Sequence, residues 1–169
     1  TRRGAQYLSE GLKRHLQRTL GKARLRDLRK RVLITAFDLD NEHPKPEKRR
    51  WKPKLFHNFP GVDSDGAMLA WKVGLYTCAA PTYFPTVDGY VDGGVFANNP
   101  SMCALAQSQD ARIGRTAALE DIALLSLGTG SSLIYVKGAH HDWGFAQWAQ
   151  ALLGVMFDGT IGIADYQCR

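Results

Sequence analysis

Asp92 is the residue of this sequence whose neighbours best suit its side chain for a catalytic role. It stands in the stretch YVDGGVFANNP (residues 90–100), which predicts a short strand, a sharp turn and a helix start. The two glycines that follow Asp92 permit close backbone approaches. Asn99 is a favoured N-cap, and the proline after it suits the first helical position. The stretch therefore predicts a carboxylate at the end of a strand, where α/β proteins keep much of their chemistry.

A carboxylate in this setting can serve as a general base. An ordinary aspartate, with a pKa of about 4, is a weak base, and burial away from water raises that pKa. Asp92 stands between hydrophobic residues and compact glycines, which predicts such burial. The alternative is that Asp92 only caps a turn, as aspartates in Asp-Gly sequences often do.

Two further motifs accompany this stretch. The run CAAPTYFP (residues 78–85) precedes it and LSLGTG (residues 125–130) follows it. In this order and spacing, the three motifs resemble the patatin-like phospholipases, a family of lipid acyl hydrolases, from about residue 32 to residue 131. The resemblance implies that Asp92 is the aspartate of a Ser-Asp dyad and that no metal or cofactor takes part. We call residues 90–100 the Asp92 box, or the box. Four other residues of the box would support Asp92: Gly93, Gly94, Asn98 and Asn99.

The serine of that dyad is not recognisable in the chain. The family carries it in a Gly-x-Ser-x-Gly elbow, which lies upstream of the aspartate together with a glycine-rich oxyanion stretch. Neither motif occurs here, and GVDSDG (residues 61–66) has one residue too many before its serine and reads as a turn and helix cap. We therefore expect residues 1–169 to be the C-terminal portion of one catalytic domain, with the missing N-terminal part of that domain as its partner.

The resemblance also implies a fold and an activity. The fold is α/β, a three-layer α/β/α domain with a central mixed sheet whose N-terminal strands and nucleophile elbow are absent from this chain. The activity is hydrolysis of ester bonds in phospholipids or related acyl lipids through an acyl-serine intermediate, with this fragment alone inactive. The alternative is a non-catalytic patatin-like module that contacts lipid surfaces or other proteins.

Charge is distributed unevenly along the chain. Residues 1–54 contain 17 Lys or Arg and 6 Asp or Glu, a balance of +11, while residues 55–169 contain 5 and 10, a balance of −5, which gives the net +6. The basic part fits either a solvated surface or peripheral contact with an anionic membrane. A nucleic-acid partner is disfavoured because aromatic residues do not interleave with the basic runs. The three widely spaced cysteines favour reduced thiols and a cytoplasmic location. Association with a membrane surface is the further possibility that the basic part of the chain leaves open.

Hydrophobic spacing predicts the remaining elements. The predicted helices cover residues 5–20, ended by Gly21, residues 65–78, capped by Asp63 or Ser64, and a segment from residue 143 onward. The predicted strands cover residues 31–37, 55–59 and 122–127, and residues 41–54 form an exposed loop.

Two aromatic segments leave alternatives open. Tyr83 and Phe84 either wall an acyl-chain pocket or belong to the core. The apolar face of the helix from residue 143 indicates packing within or between domains, with interfacial lipid contact as the alternative.

Other polar groups predict structure rather than catalysis. Asp38 and Asp40 are interpreted as a polar loop, because too few ligands stand near them for a metal site. The neighbouring His140 and His141 project in different directions, which indicates a loop. His57 is interpreted as a hydrogen-bonded structural histidine.

Overall fold

The computed structural model of the chain describes residues 4–114, 116–130, 134–137 and 142–169. These ranges form three strands, β1 (Leu33–Asp38), β2 (Lys52–His57) and β3 (Tyr90–Asp92). They also form five α-helices, α1 (Glu10–Leu20), α2 (Ala70–Thr77), α3 (Gly94–Ala97), α4 (Ser101–Ser108) and α5 (Phe145–Cys168). Single 3₁₀ turns occupy Leu25–Asp27, Pro46–Lys48, Ala111–Ile113 and Leu119–Asp121. The predicted α/β class is confirmed.

The described strands form one sheet in the order β2-β1-β3, and both pairings are antiparallel. The mixed sheet predicted above is therefore not present among these three strands. In the register, Leu33 of β1 lies opposite His57 of β2, and Ala36 of β1 lies opposite Asp92 of β3. Because β3 pairs only with residues 36–38, the first half of β1 has a partner strand on one side only.

The hydrophobic core lies between this sheet and helix α2. Ala36 of the central strand β1 is fully buried, and Phe56 of β2 is 2% exposed. The core includes three residues of α2 and one of the 3₁₀ turn before β1: Ala70, Val73, Tyr76 and Leu25. Tyr76 stacks on Tyr90 with ring centroids 4.7 Å apart, which fixes α2 against β3 directly before Asp92.

Helix α1 packs on α2 through its leucine side, as the four-residue spacing of its leucines predicted. A Cβ built on Gly74 of α2 would lie 3.6 Å from both methyl carbons of Leu16, so the two helices are in van der Waals contact. The predicted end of α1 is also confirmed, because Gly21 has φ 53 and its N–H donates to the carbonyl of Gln17 at 2.8 Å. The helix begins at Glu10, five residues later than predicted.

The predicted start of the second helix is wrong. Helix α2 begins at Ala70 rather than near residue 65, and neither Asp63 nor Ser64 caps it. The preceding residues form tertiary contacts instead: the carboxylate of Asp65 accepts from the backbone N–H of His57, and the carbonyl of Met68 accepts from the N–H of Leu25. These long-range bonds compete successfully with local helix formation.

A loop with a closed neck joins β1 to β2. The Asn41 N–H donates to the Arg50 carbonyl, and the Arg50 N–H donates back to Asn41 Oδ1. The Arg49 guanidinium binds the Asp40 carboxylate across the same neck, and this hydrogen bond holds the pKa of Asp40 below its usual value. Part of the predicted 41–54 loop is in fact strand, because β2 begins at Lys52.

The predicted strand at residues 122–127 is wrong for the described structure. Residues 122–127 belong to no helix or strand and have no strand partner in the described part of the chain, and the Ile122 N–H donates to the Leu119 carbonyl. Leu125 and Leu127 are 79% and 84% exposed. The predicted C-terminal helix is present as α5, which contacts α3 and α4 but leaves much of its apolar surface exposed.

Candidate active site

Asp92 ends β3, as predicted, and three backbone contacts hold it in place. The β3 ladder pairs it with Ala36, and its own N–H donates to the Ala79 carbonyl at 3.0 Å. Its Oδ1 accepts the N–H of Gly94 at 2.7 Å. No other hydrogen bond to this side chain occurs within the described ranges, so Oδ2 is available to accept a proton.

Gly93 is required by the approach of β1. A Cβ at this position would lie 2.2 Å from Thr35 Oγ1 and 2.4 Å from the Thr35 carbonyl carbon, far inside contact distance. Since Gly93 has φ −67, the requirement comes from space and not from backbone conformation. The predicted close approach is confirmed, and it fixes the turn directly after Asp92 to a central strand.

Gly94, Asn98 and Asn99 complete the box. A Cβ on Gly94 would lie 3.3 Å from both Asp92 Oδ1 and Asn98 Oδ1, so these two oxygens flank the glycine. The short helix α3, which the sequence did not predict, brings Asn98 back towards Asp92. Asn99 Oδ1 accepts the N–H of Ser101, the first residue of α4, at 3.0 Å. The predicted cap is displaced by one residue, because Pro100 and not Asn99 is the N-cap of α4, and Asn99 binds the first helical N–H from the position before it.

This capping contact predicts a measurable loss of stability. Replacing Asn99 with Ala removes the acceptor for the Ser101 N–H, and we expect the free energy of unfolding to fall by about 1 kcal/mol. Asn99→Asp keeps an acceptor oxygen at the same position and should retain most of the stability. Urea unfolding of both variants checks the expectation, and equal losses in the two would contradict a capping role.

Burial shapes the electrostatics of the site. Asp92 is half-buried, and desolvation raises the pKa of its carboxyl above the usual value, with the Gly94 hydrogen bond opposing the rise. Cys78 lies within the electrostatic reach of Asp92, and burial together with the Asp92 charge raises the pKa of its thiol. The carboxylate is therefore a stronger base than a solvent-exposed aspartate.

An open groove of about 1030 Å³ begins at the box. Asn98, Asn99 and Ser101 form one part of its wall, and residues 124–130 form another. The Gly-Thr-Gly loop thus lies near the box. Leu33 of β1 and one side of α5 complete the lining.

Other polar groups singled out in the sequence lie apart from Asp92. His57 is opposite Leu33, three residues along β1 and on the far side of that strand from Asp92. Its backbone N–H is hydrogen-bonded, but its buried Nδ1 has no partner within the described ranges, so the prediction of a hydrogen-bonded structural histidine is met for the backbone and not for Nδ1. Asp38 accepts from the Asp40 N–H, as expected for a polar loop.

No metal-binding cluster of His, Cys, Asp or Glu occurs among the residues that the structure describes. His140 and His141 lie outside those residues. In the same described part of the chain, no helix is long and apolar enough to cross a membrane.

Sequence reasoning missed three contacts that hold the site together. Thr35 abuts Gly93, and the Ala79 carbonyl accepts from the Asp92 N–H. Ser101 Oγ and Ser126 Oγ are hydrogen-bonded at 3.0 Å, which ties α4 to the segment before the Gly-Thr-Gly loop. The small residues of the CAAPTYFP run were a signal for the Ala79 contact, whereas nothing local indicated the other two.

Comparison with known proteins agrees with this geometry. The sequence model of the patatin-like phospholipase family matches residues 1–105, which include the whole Asp92 box. The putative sporulation hydrolase CotR of Bacillus subtilis is 35% identical over 119 residues, covering 70% of this chain and 34% of that protein. Protein teg of Priestia megaterium is 38% identical over 122 residues, covering 72% and 36%.

A more distant relative covers nearly the whole chain. The cGAMP-activated phospholipase of Pseudomonas aeruginosa is 28% identical over 170 residues, which cover 98% of this chain and 48% of that protein. The chain spans about a third of the length of CotR and of protein teg. The family model matches well over half of the chain and contains the Asp92 box, and the chain therefore belongs to the patatin-like phospholipase family.

Proposed function

We propose that this chain supplies the general base of a lipid acyl hydrolase, with Asp92 as the aspartate of a Ser-Asp dyad. The serine would come from a part of the same protein upstream of residue 1. In the first step its Oγ proton passes to Asp92 Oδ2 while Oγ bonds to the ester carbonyl carbon. Collapse of the tetrahedral intermediate expels the lipid alcohol, which takes a proton from Asp92, and water then hydrolyses the acyl-serine by the same route.

The hydrogen bonding of Asp92 is the observation that carries this proposal. One carboxylate oxygen is fixed by the Gly94 N–H, which leaves the other oriented and without a partner in the described ranges. Half-burial raises the pKa of the carboxyl, which increases its strength as a base. A residue that only capped the turn would gain nothing from a second oriented oxygen or from this degree of burial.

The relatives support the class of substrate. The relative from Pseudomonas aeruginosa is named a phospholipase and the one from Bacillus subtilis a putative hydrolase. We propose phospholipids or related acyl lipids as substrates for the enzyme to which this chain belongs. Three free cysteines in the described structure fit a reducing, cytoplasmic setting. Peripheral contact with a membrane surface is a separate part of this proposal.

We further propose that the chain is the C-terminal portion of a three-layer α/β/α domain. The first half of β1 has a free edge, and residues 123–130 form no backbone hydrogen bond within the described ranges. Leu33 and residues 124–130 face the same groove, which a further strand can fill. Strands from the N-terminal part of the domain would pair there, produce the mixed sheet and bring the nucleophile beside Asp92.

This assignment predicts that residues 1–169 alone are inactive. We expect no turnover of a short-chain nitrophenyl ester above background, because the chain lacks a recognisable nucleophile elbow and oxyanion stretch. The complete protein should hydrolyse the same ester under the same conditions. Turnover by the purified 1–169 chain that is lost on Asp92→Ala would show that it holds its own nucleophile.

The same assay separates the enzyme from the alternative, a non-catalytic patatin-like module. A complete protein that is folded, contains an intact Gly-x-Ser-x-Gly elbow and hydrolyses neither the nitrophenyl ester nor dispersed phospholipid would overturn the enzymatic assignment. A complete protein without that elbow would favour the interaction module.

A further inference from the structure

We propose that exposed Tyr7, Leu8 and Tyr83, together with exposed Arg14 and Arg18 of the helix that follows residues 7 and 8, bind the headgroup region of an anionic phospholipid bilayer. We call this set of residues the docking surface. Its biological purpose rests on the proposed lipid hydrolase function, whereas its binding can be measured without any catalysis. Three observations carry the proposal: a fixed aromatic and aliphatic patch, an unpaired basic helix face, and a direct backbone connection to Asp92.

Backbone hydrogen bonds and ring stacking hold the apolar part of the docking surface in a defined conformation. The segment before α1 runs beside the loop after α2, since the Gln6 N–H donates to the Thr82 carbonyl at 2.9 Å and the Tyr7 N–H to the Tyr83 carbonyl at 2.7 Å. The Tyr7 and Tyr83 rings are nearly parallel, with centroids 6.4 Å apart. Even so, the exposures of Tyr7, Leu8 and Tyr83 are 51%, 76% and 52%.

The residue types suit an interface between water and lipid. Tyrosine has an apolar ring with a polar tip, and such residues concentrate where one end is apolar and the other is wet. Leu8 adds an aliphatic side chain that water solvates poorly. Thr82 has φ 73, which β-branched residues rarely adopt, and such conformations tend to cluster at binding sites.

The basic part of the docking surface lies on α1. Arg14 and Arg18 are one helical turn apart and exposed, on the side away from the leucines that face α2. Neither has an ion pair in the described structure, whereas the one acid of this helix, Glu10, lies 3.9 Å from Lys13. Residues 4–31 contain nine Lys or Arg and two acids, a balance of +7. An anionic leaflet attracts such a segment.

The docking surface is connected to the proposed base through one short loop. That loop begins at Ala79, whose carbonyl accepts the N–H of Asp92, and it reaches Tyr83 four residues later. A bilayer in contact with Tyr83 would therefore lie close to the box that holds Asp92. This placement favours a lipid surface over a nucleic acid, as do the exposed aliphatic Leu8 and the stacking of Tyr7 on Tyr83 rather than between cations.

Vesicle binding by the complete protein tests the proposal. We expect cosedimentation with vesicles of phosphatidylcholine containing about one third phosphatidylglycerol, weak binding to phosphatidylcholine alone, and loss of most binding in 0.5 M salt. Removing two charges with Arg14→Gln/Arg18→Gln should weaken binding roughly 10- to 30-fold. Leu8→Ser, at a largely exposed position outside any helix, should weaken it about fivefold.

A matched control variant shows whether the position of the removed charges matters or only their number. Lys48→Gln/Arg50→Gln removes the same charge from exposed positions in the loop between β1 and β2, and should change vesicle binding by less than about threefold. Equal losses in both double variants would overturn the docking surface in favour of general attraction by net charge. Steep, salt-dependent binding to random-sequence DNA without vesicle binding would overturn it in favour of nucleic acid.

Catalysis provides an independent measurement. Arg14→Gln/Arg18→Gln should leave hydrolysis of a soluble nitrophenyl ester within about twofold of wild type and lower hydrolysis of lipid in anionic vesicles by the factor lost in binding. If neither substrate is hydrolysed, the hydrolase proposal fails while the binding data still decide the docking surface. Vesicle binding that none of these substitutions changes would refute the docking surface alone.

Discussion

If Asp92 is the proposed base, the complete protein carrying Asp92→Asn is expected to lose a factor of about 10²–10⁴ in kcat, the usual contribution of a positioned acid or base. Asparagine keeps the size of the side chain and the oxygen that accepts the Gly94 N–H, but it cannot take the serine proton. KM should change little, because in the proposed dyad the carboxylate acts on the nucleophile and not on the lipid. Steady-state kinetics on a soluble ester checks both values.

Stability and pH separate catalysis from a structural role. Because burial raises the pKa of Asp92, its ionised form destabilises the fold at pH values above that pKa, and Asp92→Asn should not lower Tm at neutral pH. For the wild type, kcat/KM should fall as pH drops through the raised pKa, so the acid limb should lie above pH 3.8. A fully active Asp92→Asn enzyme, or one whose loss follows a lower Tm, would refute the dyad.

Among substitutions that add one methyl group to a residue of the box, Gly93→Ala is expected to cause the largest loss of stability. The new Cβ would overlap both the side chain and the backbone of Thr35, and backbone in the middle of a sheet cannot move aside without breaking β-ladder pairs. We expect the free energy of unfolding to fall by about 3 kcal/mol or more. Thermal unfolding of the complete protein should show a Tm roughly 6–12 °C lower.

Gly11→Ala provides the matched control. Gly11 lies in α1 with nothing within 4 Å of an added Cβ, so the same chemical change there should raise stability by about 0.5 kcal/mol. Activity should fall with Gly93→Ala, since the displaced turn carries Asp92, and should be retained with Gly11→Ala. An unchanged Tm for Gly93→Ala would mean that β1 and the box do not approach as closely as the structure has them.

The parts of the site that were predictable are local in sequence. Strand, turn and helix cap follow one another between Tyr90 and Ser101, and each depends on residues within a few positions. Asp92 at a strand end, the close approach of Gly93 and a helix start beside Asn99 could therefore be inferred from the residues themselves. The residue that Gly93 contacts could not be inferred, because Thr35 is more than fifty residues away in the sequence. No local pattern encodes the register that brings the two together.

The parts of the fold that were mispredicted depend on distant partners. Residues 65–69 have the spacing of a helix but form bonds with β2 and with the turn at Leu25–Asp27. Residues 122–127 have the composition of a strand, and a strand exists only where another strand pairs with it. Helix α1 was well predicted because a leucine every fourth residue defines its buried side without any knowledge of α2.

The closed neck of the loop between β1 and β2 makes that loop a permissive place for added sequence. Asn41 pairs with Arg50 and Asp40 with Arg49, so the ends of the loop are held together independently of what lies between them. Lengthening such a loop costs only a slowly growing closure entropy. A fluorescent label or an affinity peptide inserted between Pro44 and Glu47 would thus report on the protein while leaving the opposite side of β1, where Asp92 is held, in its native register.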